Sequence, residues 1–272
     1  MRELIIDLDA IAYNLDVMRQ RTSGAMVCGV VKANAYGHGM LEVARKLEAA
    51  GVDYVGVADV TEALELRRAG IVSPILAWLH DPHEMFVEAV NEGIELGLAN
   101  EDHLTRVAAA AEITGRLARV HLKVDTGLNR NGASAAEWEG VLRQARGLVA
   151  EGFIQVVGIF SHLSSTGEAE DLAQIARFEA AVEKAREFGI NFELRHLTAS
   201  DGSLNYPQAH YEMVRVGVAL YGLSPFTDHH SKEYGLRPAM TATAYVTQVK
   251  RVPAGEGVSY GYMHRTKSET TL

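Results

Sequence analysis

The chain has 272 residues, a formal net charge of −9 and 47% hydrophobic residues, enough apolar content for one barrel of roughly 250 residues or two smaller domains. An acidic balance with no basic block argues against nucleic acid as a partner. No run approaches the roughly 20 apolar residues of a bilayer span, and the N-terminus meets acid at Glu3 and Asp7, too soon for a secretion signal.

In chain order, a leading strand is expected at Leu4–Leu8, followed by a helix capped by Asp9, with Ile11, Leu15 and Met18 on its buried stripe. Short apolar runs then fall near 25–31, 53–58, 74–78, 94–98, 119–124, 153–160, 192–197 and 213–218. Between them lie helical patterns near 39–50, 60–69, 82–92, 101–114, 135–150 and 171–188. Asp59 with Glu62 reads as a capping box, and Gly70 and Gly189 as helix terminators. Eight strands alternating with helices predict an α/β fold, a (β/α)8 TIM-type barrel over 1–225. No Gly-x-Gly-x-x-Gly turn follows the first strand of the series, which disfavours a doubly wound sheet. From 226 to 272 the alternation at 241–247 and the turn at 253–257 predict the beginning of a C-terminal mainly-β domain. That segment is short for an independent core, and the chain reads as cut short.

A barrel of this kind places its site at the carboxyl ends of the strands. Lys32 ends the run Ala25–Val31, where partial desolvation makes an amine nucleophilic; a lysine snorkelling to the rim is the plain alternative. Cys28, the single cysteine, reads as core packing; it excludes an intrachain disulfide and suits a reducing cytosol. His229 and His230, with His210 upstream, match no metal-ligand spacing, so no metal is expected. A small molecule is the expected partner.

The segment Val31-Lys32-Ala33-Asn34-Ala35-Tyr36-Gly37-His38-Gly39 resembles the cofactor-lysine motif of the alanine racemase family. Leu122–Gly132, Phe160-Ser161-His162, Arg195–Ser200, Met213–Gly222 and Val258–Gly261 are similar to further segments of that family, so the resemblance runs from Ile6 to Gly261. It implies pyridoxal 5′-phosphate (PLP) held by Lys32, with Tyr36, Ser200 and the amides of Gly217 and Val218 on its phosphate. Arg215 would face the pyridine nitrogen and His196 would lie under the ring. Arg130 would meet the substrate carboxylate, and Lys123 would be either the carbamylated lysine that orients it or an ordinary ammonium. Lys32 and Tyr260 would be the two bases of an alanine racemisation, with His162 helping Tyr260 lose its proton.

The resemblance also implies a cytoplasmic homodimer that shares its site across the interface and supplies D-alanine for peptidoglycan. Two departures stand out. Ala199-Ser200-Asp201 has alanine where the family has asparagine, followed by an acid. The chain also stops roughly a hundred residues early, which leaves a PLP-binding barrel with little turnover as the alternative expectation.

Overall fold

The computed structural model describes residues 2–22 and 24–272. The leading strand is β1 (Arg2–Ile6), shifted two residues from the expected position because Asp7 starts the next helix. Extended Asp7 accepts the Ala10 amide at 3.0 Å and caps α1 (Leu8–Arg21). Asp9 is therefore not the cap; its carboxylate pairs with Lys46 at the surface. Ile11, Leu15 and Met18 are fully buried, as their spacing requires.

The chain forms two compact units: Asp7–Ala239, and the residues up to Ile6 together with Met240–Leu272. The first contains eight parallel strands: β2 (Met26–Val30), β3 (Tyr54–Val57), β4 (Ile75–Ala77), β5 (Glu95–Leu98), β6 (Ala118–Lys123), β7 (Ile154–Phe160), β8 (Leu194–His196) and β9 (Met213–Val216). Their order is β8-β7-β6-β5-β4-β3-β2-β9, the topology of a nearly closed (β/α)8 barrel. Between β8 and β9 no ladder forms among the described residues; the Arg215 amide reaches Thr198 O at 3.0 Å, and Arg195 forks onto Glu212 at 2.6 and 2.9 Å.

The connecting segments are α2 (Lys32–Gly37), α3 (Met40–Ala49), α4 (Val60–Arg68), α5 (Val87–Asn91), α6 (Glu101–Thr114), α7 (Trp138–Ala150), α8 (Glu168–Glu187) and α9 (Ser200–Asn205). Asp59 caps α4 through the Glu62 amide at 2.9 Å. The Glu62 carboxylate does not return to Asp59; it takes the amides of Ala33 at 2.7 Å and Ala58 at 2.8 Å. The expected helix over 82–92 shrinks to α5. Asp81 turns the chain by accepting the His83 amide, and buried Phe86 sits at φ 56°, outside helical space.

The second unit is built from antiparallel pairs. β1 pairs with β10 (Met240–Ala244), from Arg2 opposite Ala244 to Ile6 opposite Met240. β11 (Arg251–Val252) pairs with β14 (Thr270–Thr271), and β12 (Gly257–Val258) with β13 (His264–Arg265). Thr266 is its buried polar anchor: its hydroxyl donates to Pro253 O at 2.6 Å. Tyr260 and Met263 are each 97% exposed.

Candidate active site

After β2 the backbone takes an unusual path. Ala33, Asn34, Ala35 and Tyr36 all have φ between 52 and 54°, the left-handed region that costs L-residues roughly 1–2 kcal/mol each. The surroundings hold the turn in place. The Ala33 amide is taken by Glu62, the Ala35 amide by Val31 O at 2.7 Å, and the Met40 amide by Asn34 Oδ1 at 2.8 Å. This turn sets the Lys32 amine and the Tyr36 ring into a cavity of about 500 Å³ at the carboxyl ends of the barrel strands.

Lys32, Tyr36, Lys123, Arg130, His162, Ser200, Arg215, Gly217 and Val218 all line that cavity. Four of the lining groups are cations, and Asp201 is the only acid among them. The Ser165 hydroxyl donates to the Asp201 carboxylate, drawing it toward the 161–167 loop. Burial first, then repulsion from Arg215 and Arg130, pushes Lys123 down to about 7, and its amine makes no hydrogen bond to a described residue. Lys32 is lowered by burial, then by the charge of Arg130. Arg130 rides on a loop braced by Asp125, which accepts the Gly127 and Asn129 amides. Gly132 in that loop lets two backbones touch: a Cβ there would lie 2.8 Å from the Asp125 nitrogen.

At the far wall, Ser200 Oγ accepts the amides of Gly217 at 3.1 Å and Ala219 at 3.3 Å. A Cβ on Gly217 would stand 2.4 Å from the Tyr36 hydroxyl, so glycine there is what lets the phenol approach. Arg215 is buried and spends two nitrogens on protein acceptors: Nη1 donates to His196 Nδ1 and O, and Nη2 to Ser161 O, Leu197 O and His162 Nδ1.

Two expected residues lie outside the cavity lining. His196 does not line the cavity; it is fully buried, stacked on Phe160 at 4.7 Å. Tyr260 belongs to the smaller unit and is solvent-facing. Trp78 and Leu79 were missed as lining residues, although both directly follow β4 and a reading of every strand end would have found them. Cys28 is fully buried with its thiol pushed up to about 12, chiefly by burial. Among the described residues no His, Cys, Asp or Glu group is arranged for a metal, and no helix is long and apolar enough to cross a membrane.

The buried histidines set an acid limit on the fold. Burial, then the cations Arg215, Arg130, Lys123 and Lys32, push His162 down to about 3. Burial and then His103 push His80 down to about 4. His196 falls well below its ordinary value, from burial and then Arg215. Unfolded, such rings titrate near about 6.5, so below that pH the unfolded chain binds more protons than the folded one. Stability is then lost on acidification, at about 1.4 kcal/mol per pH unit for each histidine. The thermal midpoint is expected to fall steadily between about pH 6.5 and 5, above the range of most carboxylates. A flat midpoint across that window would contradict neutral burial of these rings.

Comparison with known proteins agrees with this geometry. A family model described as "Alanine racemase, N-terminal domain" matches residues 6–225. The alanine racemase of Thermobifida fusca is 44% identical over 99% of this chain and 72% of its own length. A crystal structure of alanine racemase from D-cycloserine-producing Streptomyces lavendulae superposes with a TM-score of 0.94 at 40% identity, over 99% of this chain and 72% of that one. The alanine racemase of Bacillus anthracis, solved with bound L-Ala-P, gives 0.82 at 28% identity, over 99% and 70%.

Proposed function

Because the chain belongs to the alanine racemase family, we propose that it interconverts L-alanine and D-alanine with PLP at the barrel mouth. The carrying observation is the cavity in which Lys32, Lys123, Arg130 and Arg215 converge against one acid, Asp201. Such a field suits a ligand set with a phosphate and a carboxylate. The residues fit the cofactor: an amine lowered by burial, a glycine that admits the Tyr36 phenol, and a buried guanidinium spending only two of its three nitrogens on the protein. When bound, PLP supplies an electron-withdrawing ring that acidifies the Cα–H of the amino acid.

Lys32 would hold the cofactor and move the α-proton on the D face. Tyr36, Ser200 and the amides of Gly217 and Val218 would hold its phosphate, the Gly217 amide in exchange for its bond to Ser200 Oγ. Arg215 would face the ring nitrogen and, having no lone pair to accept a proton, would leave that nitrogen unprotonated, a setting that suits racemisation better than transamination. Arg130 takes the substrate carboxylate with its rigid fork.

Tyr260 of the partner subunit serves the L face, which makes the enzyme a homodimer; we place it in the cytoplasm, supplying D-alanine for peptidoglycan. His162 has a narrower part than deprotonating that tyrosine. Its Nδ1 accepts from Arg215 at 3.1 Å, so its proton sits on Nε2 and it acts as a donor that stabilises a phenolate.

Lys123, buried and held near 7, is a nucleophilic amine with no hydrogen-bond partner among the described residues. We propose that the neutral amine adds to carbon dioxide, an N–C bond forming as one C=O π bond opens onto oxygen and an amine proton passes to solvent, to give a carbamate whose charge steadies Arg130. Protein equilibrated with ¹³C-labelled bicarbonate should show one carbamate carbon resonance, absent from Lys123→Gln; no such signal would leave Lys123 an ammonium. The function itself is tested by loading the chain with PLP and following L-alanine by chiral chromatography. Turnover to D-alanine is expected, and a yellow but inert protein would overturn the proposal.

A further inference from the structure

The floor of the cavity continues inward as an unbroken line of buried polar groups. His196 Nδ1 lies 2.8 Å from Arg215 Nη1, and His196 Nε2 lies 2.8 Å from His121 Nδ1. His121 Nε2 in turn lies 2.7 Å from Glu95 Oε2, and the other Glu95 oxygen takes Arg119 Nε at 2.7 Å. These residues stand on β9, β8, β6 and β5, so the line crosses the barrel interior. All four inner members are nearly inaccessible: Glu95 3% exposed, His121 and His196 0%, Arg215 5%. Gly158 clears the path, since a Cβ there would stand 2.5 Å from His121 Nδ1.

The direction of the line follows from donor chemistry. A guanidinium only donates, so His196 Nδ1 must be bare. The neutral ring then carries its proton on Nε2 and donates to His121 Nδ1. His121 must likewise be protonated on Nε2, facing an acceptor. Only a group with no proton of its own ends such a line without ambiguity, and Glu95 is that group. Burial works against the Glu95 charge, but His121 and then Arg119 outweigh it and hold the carboxyl below its usual range. Reversing the line would set the Arg215 and His196 N–H groups against each other at 2.8 Å.

We propose that Glu95 and His121 are positioning residues for Arg215, fixing through His196 the tautomers that hold its guanidinium in place with Nε free for the ligand. The inference rests on the reading of Arg215 as the partner of the cofactor ring. Arg215 makes no ion pair among the described residues; the charge of Asp201 acts on it through space, and Glu95 is linked to it only through two polarised imidazoles. Substituting glutamine keeps the shape but removes the charge. It also gives the line an end that can donate as well as accept, so the reversed direction, opposed at both ends in the native chain, is opposed only by the Arg215–His196 hydrogen bond.

The test begins with the unliganded full chain. Long-range ¹H–¹⁵N spectra, assigned with His121→Gln and His196→Gln, should show both rings neutral and protonated on Nε2. In Glu95→Gln a fraction of the molecules should adopt the reversed tautomers, with the Arg215–His196 hydrogen bond broken and the guanidinium displaced. The holoprotein's visible band should shift, and kcat for alanine should fall about 10- to 100-fold, as for lost outer-sphere partners of a functional histidine, while KM changes little. A proton on His196 Nδ1 or a charged His121 in the native chain would overturn the proposal, whether or not the variant folds. So would a folded Glu95→Gln protein with unchanged tautomers, band and kcat. A merely structural role would lower the thermal midpoint and leave the tautomers and the band alone. Because the tautomers are read without cofactor, failure of PLP to attach at Lys32 would sink the functional reading and leave this measurement standing.

Discussion

Lys32→Ala should lower alanine racemisation by about 10³- to 10⁴-fold, the scale for removing an acid–base group, with a further loss from weaker cofactor retention. The side chain leaves a half-exposed rim, so the fold should melt at nearly the native temperature. Borohydride treatment of the PLP-loaded native protein should fix the cofactor to the peptide containing Lys32, and the variant should carry no label there. Cofactor fixed to Lys123 instead would overturn the assignment. Lys123 is the serious competitor because burial brings its amine down to about 7, the more nucleophilic pH range. What separates the two is position. Lys32 opens the turn that carries Tyr36, whereas Lys123 ends β6 with its amine over the Phe160 ring, 5.4 Å from the centroid.

Tyr260→Phe should cost about 10²- to 10⁴-fold in racemisation in both directions while leaving the cofactor bound. The informative readout is one-sided exchange. In heavy water the variant should still wash the α-hydrogen out of D-alanine, because Lys32 serves that face, but should hardly exchange L-alanine. Loss of exchange from both isomers would mean that one group serves both faces, and equal retention would remove Tyr260 from the chemistry. The variant changes one hydroxyl on a ring that is 97% exposed, so folding is not at issue.

The barrel was legible because each strand is a short apolar run between amphipathic segments, and all eight runs became strands in one sheet. The cavity was legible where residues follow strand ends in a chemically mixed motif, as around Lys32, Arg130 and Arg215. Other features left no trace in residue type. Asp7 and Asp9 are equally good caps on paper; the backbone turns at the first, and the second is left to Lys46. Phe86 looks helical, yet it is buried with its backbone in the left-handed region. His196 was expected at the ring, yet its strand turns it inward, where Phe160 covers it. Glu95 and His121 lie on different strands, and period-two alternation says only that such residues face inward. Their partnership exists only once β5 pairs with β6 in register.

The run from Ala33 to Tyr36 has a bearing on how this chain can vary. Four side chains in succession accept inverted handedness, so a β-branched residue at any of them would add steric cost to a turn already under load. Substitution is therefore restricted there by backbone shape even where a side chain touches no ligand. The stretch that makes the chain recognisable is spelled as much by that geometry as by the reaction beside it.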